Sequence, residues 1–153
     1  AYEIRLSLVG SEMCIRDRVG LSIFKTITAS GPRGALLGSE GDDLLIGGTG
    51  ANRMTGRGGI NIYVYASLRD AGDTVTDFVP GKDLLDLRSL LAALGWNGSD
   101  PVAEGVVRFA PLRGGSSVQI NTDGAGPAAP RALLTLQGVS PASLSSSRDL
   151  IVR

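Results

Sequence analysis

The sequence predicts an all-β chain: a short parallel β-roll of about three nine-residue repeats, then an antiparallel β meander or sandwich with one short helix. Three observations predict it. Gly38, Gly47 and Gly56 recur in one phase and Gly41, Gly50 and Gly59 in another, while Asp43, Asn52 and Asn61 keep a third and Leu45, Met54 and Tyr63 a fourth. Beyond residue 100, apolar runs alternate with glycine-containing turns at hairpin spacing. Helical spacing appears once, at Leu87, Leu90, Leu91 and Leu94.

The elements follow in order. Residues 6–18 resemble a translated sequencing-adapter read, so segment 1–18 reads as an assembly artefact or as the remnant of an upstream domain, and nothing functional rests on Cys14. Residues 19–28 place Leu21, Ile23 and Ile27 on one face of a strand. Residues 29–37, with Gly31-Pro32 and Gly34, read as a linker, completing a strand-and-linker segment over 19–36. The repeats fill 37–65. In each block six residues turn and three form a strand; glycine serves where φ is positive or two backbones meet, and the large apolar residue faces inward. Two blocks make one coil, so the first and third turns share an edge built on Asp43 and Asn61, and Asn52 lies on the other edge without an in-register neighbour. The strand Ile62-Tyr-Val-Tyr closes the roll and caps its open edge.

In 66–153, residues 74–78 are β-prone and Pro80-Gly81 fits a type II turn. Asp86 stands as N-cap of the helix, which Gly95 ends. Strands are expected over 105–110, 116–121 and 132–136, with turns at Gly114-Gly115 and Asp123-Gly124, and Trp96 packs under them. The chain closes on Asp149-Leu-Ile-Val-Arg153 after a serine-rich run.

The nine-residue blocks resemble the nonapeptide of RTX calcium-binding β-rolls. The segment Asp73-Thr-Val-Thr-Asp77-Phe, with Gly81-Lys-Asp83-Leu-Leu-Asp86, resembles the part that follows the last repeat in type I secretion C-terminal target domains of that family. The resemblance implies calcium held by oxygen ligands drawn from Gly38, Glu40, Gly41, Asp42, Asp43, Asn52, Gly56, Gly58, Asn61, Asp73, Asp77 and Asp83. Two departures stand out. Asn52 and Asn61 occupy positions where the family has Asp, and Arg57 occupies a usual glycine position. A metal-free stack of glycine-rich turns is the competing reading, with Asp86 a cap and Asp73, Asp77 and Asp83 edge or turn residues.

Composition narrows the function. Fifteen basic and fifteen acidic residues cancel, but residues 38–100 hold nine acidic against five basic ones, which suits a divalent cation and argues against nucleic acid. With no histidine, His-dependent catalysis is excluded within these residues. A dinucleotide fingerprint fails at Arg53, no phosphate loop occurs, and no apolar run is long enough for a membrane helix. The resemblance implies a non-enzymatic, calcium-binding, monomeric export module of a larger extracellular or cell-surface protein, such as an adhesin, that folds on calcium outside the cell. Its transient partners would be an ABC exporter, a periplasmic adaptor and an outer-membrane channel. The apolar end resembles an uncleaved secretion signal, with Arg153 a departure. Two alternatives are the export tail of a secreted RTX metalloprotease or lipase, and a metal-free structural domain.

Overall fold

The computed structural model describes residues 24–29 and 31–153. Segment 1–18, Cys14 and the first part of the strand expected over 19–28 lie outside the described residues.

From β1 to β7, successive strands go to opposite sheets. One sheet holds β1 (Lys25–Thr28), β3 (Asp43–Ile46), β5 (Asn61–Val64), β7 (Leu84–Asp86) and β11 (Leu150–Ile151), in that order and all parallel. The other orders β2 (Ala35–Leu37), β4 (Arg53–Thr55), β6 (Asp73–Val75), β10 (Arg131–Gln137), β9 (Gly115–Ile120) and β8 (Val107–Leu112). The register explains the nine-residue period, since Lys25 faces Asp43, Asp43 faces Asn61, and Ala35 faces Arg53, each 18 residues apart. Two nonapeptides therefore make one coil. Beyond the third block the coil swells, with Ile62 facing Leu84 and Arg53 facing Thr74, so the sequence loses its period while the roll continues.

Each strand sends one large apolar side chain inward: Leu36, Leu45, Met54, Tyr63, Val75 and Leu85 are all buried. Fully burying a side chain of this size contributes about 1.5–3 kcal/mol, so this file is the main adhesive of the roll. Tyr65 and Phe78 lie in the same core, with the Phe78 ring tilted against Tyr63 at 6.0 Å between centroids.

The structure corrects the sequence reading in four places. Residues 35–37 are not linker but β2, because Leu36 stands nine residues before Leu45 and keeps the apolar phase where the glycine phase has failed. β5 does not cap an edge; it sits centrally, between β3 and β7. The helix α1 (Arg88–Ala93) has Leu87 at its N-cap; Asp86 ends β7 and its Oδ1 accepts from the Arg88 amide at 3.1 Å. Trp96 packs beside the C-terminal residues, its indole N–H on Glu104 Oε2 (3.3 Å) and Arg153 over its ring. The end of α1 is as expected. Gly95 takes φ 77°, its N–H reaches Ala92 and that of Trp96 reaches Leu91, a Schellman closure.

The expected meander is present as the antiparallel ladder β8–β9–β10, with Pro111 inside the outer strand β8. Its inner strand β10 also pairs with β6 in parallel, so the meander extends the second sheet of the roll. A second short helix, α2 (Ser146–Asp149), forms in the serine-rich run and leads into β11.

Candidate metal centre

Turns stack along the two edges of the roll. On the first edge the turns preceding β3, β5 and β7 put Asp43, Asn61 and Asp83 at equivalent strand starts, where side chains point inward; all three are buried. On the second edge Gly34, Asn52 and Asp73 are equivalent, which corrects the expectation that Asn52 has no neighbour. Asn52 Oδ1 accepts from the Gly34 amide at 2.8 Å, and Asp73 Oδ1 accepts from the Asn52 amide at 2.7 Å.

The backbones of stacked turns touch. A Cβ on Gly59 would stand 2.3 Å from the Gly41 carbonyl, and Gly59 also takes φ 70°, so only glycine serves there. A Cβ on Gly58 would meet the Glu40 carbonyl at 2.5 Å, and one on Gly38 would meet the Gly56 carbonyl at 2.2 Å. Gly38, Gly56 and Gly58 are thus packing positions, whereas a Cβ on Gly41 would meet nothing nearer than Ser39 Oγ at 3.8 Å.

The carboxylates fasten this stack. Asp43 accepts from the Ser39 amide (2.5 Å) and hydroxyl (3.1 Å). Asp83 accepts from Val79 N–H (2.9 Å) and, across the gap, from Asn61 N–H (2.9 Å). Asp77 takes the Gly56 and Arg57 amides at 2.8 and 2.7 Å, and Asp42 takes the Ile60 amide at 2.7 Å. Glu40, at the surface, pairs with Arg57 at 2.9 Å.

Sequence reasoning missed the local rule behind several of these bonds: an Asp that opens or follows a turn accepts the amide four residues back. It holds for Asp43 with Ser39, Asp83 with Val79, Asp70 with Ala66 (2.9 Å) and Asp149 with Ser145 (2.7 Å). The signal was legible as an Asp placed just after each turn. The Tyr63 and Tyr65 hydroxyls inside the roll carried no such signal.

Burial pushes Asp43, Asp73 and Asp83 above the ordinary carboxylate range, against the amides that bond them. Asp77 adds to this at Asp83, and the Tyr65 hydroxyl opposes it at Asp73. Tyr63 is raised by burial and then by the charges of Asp83 and Asp77, against the Gly56 amide. Ionised carboxylates held in such surroundings call for positive charge.

Two buried side-chain oxygens of these ladders lack a hydrogen-bond partner: Asn61 Oδ1 on the first edge and Asp73 Oδ2 on the second. The Tyr63 and Tyr65 hydroxyls are also unpartnered; Tyr65 stands near enough to Asp73 to oppose its shift, but no hydrogen bond of acceptable geometry joins them. An orphaned oxygen beside a carboxylate and turn carbonyls is a hard-oxygen donor set of the kind calcium takes. Among the described residues no three acidic side chains converge by themselves, so main-chain carbonyls and the Asx amides would have to complete any site. With that condition the donors fit at the Asn61–Asp83 gap and at the Asn52–Asp73 gap.

Parallel strands in two sheets, glycine-built turns and Asx ladders on both edges define an RTX-type β-roll. Residues 11–100 match the family described as Peptidase M10 serralysin C terminal, and the chain belongs to that family. Among solved structures it is similar to a subunit of the mannuronan C5-epimerase from Azotobacter vinelandii, with a TM-score of 0.60 and 24% identity over 82% of this chain and 71% of that one. That likeness concerns the fold. None of the curated proteins matches the chain in sequence.

Proposed function

We propose that this chain is a calcium-dependent folding module of an exported protein. The observation that supports it is the pair of buried, unpartnered oxygens, Asn61 Oδ1 and Asp73 Oδ2, each lying in an in-register ladder with a carboxylate. Asn61, Asp77 and Asp83 would hold one ion with turn carbonyls, and Asn52 and Asp73 another.

The chain's own residues supply the coupling. Twenty-two glycines make ordering costly in backbone entropy. Asp43, Asp73 and Asp83 must enter the roll charged or take up a proton, and burial opposes the charged form. Bound calcium would supply the positive charge that lets them stay ionised, so that binding free energy becomes folding free energy. Where calcium is scarce the chain stays extended enough to be threaded by a type I apparatus of ABC exporter, periplasmic adaptor and outer-membrane channel. Outside the cell it closes. The module's part in the parent protein is non-catalytic. The family description names a peptidase, which favours a secreted peptidase over an adhesin as the parent.

Thermal melts of the full chain followed by circular dichroism, from chelator into calcium with magnesium as control, test this reading. Calcium alone is expected to build β-structure and raise the melting temperature, and the pair Asp73→Asn and Asp83→Asn to abolish both responses. Superimposed melts in chelator and calcium would sink it.

A further inference from the structure

The gap between the turns before β3 and β5 differs from its neighbours. Arg57 stands opposite Ser39, 18 residues apart, and takes φ 68°, a left-handed conformation that costs a non-glycine side chain energy. Its amide is held by Asp77 at 2.7 Å, and its side chain turns back over the first turn. There Nη2 meets Glu40 Oε2 at 2.9 Å and Nη1 approaches the Gly38 carbonyl at 3.4 Å. Asn61 Nδ2 donates to the Gly58 carbonyl of its own turn at 3.1 Å and to Asp83 Oδ1 at 3.4 Å, and Asn52 Nδ2 bonds the Gly47 carbonyl of its turn at 2.8 Å, so the guanidinium is what sets this gap apart. The guanidinium therefore covers oxygens that a metal ion between these two turns would use. Among the described residues no guanidinium bonds the turn carbonyls of the other two gaps; Asp73 Oδ2 is unpartnered in one, and Asn61 Oδ1 borders both this gap and the next.

We propose that Arg57 is a tethered cation that takes the place of a metal ion between these two turns, so that neutralising it opens the Asp43–Asn61 gap to calcium. This rests on the calcium reading for the neighbouring gaps, but it makes a separate statement about this one. The first coil is then held by the protein's own charge and needs no metal, whereas the coils after it do. Both partners are substantially solvent-exposed, with side chains 45% and 75% accessible, so the ion pair itself adds little stability. What matters is where the guanidinium sits, because a fixed positive charge a few ångströms away opposes a divalent ion.

Calorimetric calcium titration of the full chain tests this with three variants. Arg57→Gly removes the charge and the backbone strain, Arg57→Asn removes the charge at a residue that tolerates positive φ, and Arg57→Lys keeps both charge and strain. The Gly and Asn variants are expected to bind one calcium more per chain than the parent, or to bind on the order of tenfold more tightly. The Lys variant should match the parent. Adding Asp43→Asn to Arg57→Gly should remove the gained ion, which places it in this gap. If the neutral variants gain neither an ion nor affinity, the inference is overturned. A parent that binds no calcium while Arg57→Gly does would uphold it and overturn the calcium reading of the other gaps.

Discussion

Single residues in this roll are fixed by contact between backbones. Gly59 shows it: its Cα rests on the Gly41 carbonyl at positive φ, so Gly59→Ala adds both a clash and a torsional cost. Melting of that variant is expected to show a loss of about 2 kcal/mol or more, whereas Gly31→Ala, with open space at its Cβ, should leave stability nearly unchanged. Asp149 is the other residue on which much depends. Its buried carboxylate accepts the Gly81 and Ser145 amides, both at 2.7 Å, and pairs with Arg148. Burial alone raises its pKa, but Arg148 and the two amides outweigh that and hold it below the ordinary value of 3.8. A carboxyl with a depressed folded pKa contributes fully above its unfolded value and loses that contribution as pH falls through the folded one. Asp149→Asn should therefore cost about 2 kcal/mol at neutral pH, and the difference from the parent should shrink in acid melts below pH 3.8.

At the scale of elements, β2 separates what the sequence displayed from what it hid. The nine-residue rhythm of glycine, Asx and apolar residues over 38–65 is a direct image of two-sheet coiling, because both edges and both sheets repeat with it. Residues 35–37 kept only the apolar beat, and a single Leu36 between Pro32 and Gly38 has no local feature that marks a strand. Pairing with β4 makes it one. Leu36→Ala should cost about 2–5 kcal/mol in denaturant unfolding; a linker residue would cost almost nothing. The strand β7 was hidden for another reason. Its two leucines precede a helix, and the 22-residue step from β5 breaks the period that would have announced it. The candidate site was legible to the same degree. Asp43 and Asn61 follow from the repeat, but the Asn52–Asp73 pairing needed the 21-residue step between β4 and β6 to be known.

For the whole molecule, parallel coiling means that each coil rests mainly on its neighbours, so stability is passed along the roll as in other solenoids. The Asp43–Asn61 and Asn61–Asp83 gaps follow one another on the first edge, and the Asn52–Asp73 gap lies on the second. On the calcium reading proposed above, closing a later gap would stiffen the coils on either side of it.

The outer strand β8 has a further consequence. It is the exposed margin of a six-stranded sheet, where an incoming strand from another chain would add. Pro111 brings no amide hydrogen to that margin, and Arg108 and Arg113 put positive charge at and just beyond it. An edge of this make is a poor template for fibril growth, so strand addition at this margin is disfavoured.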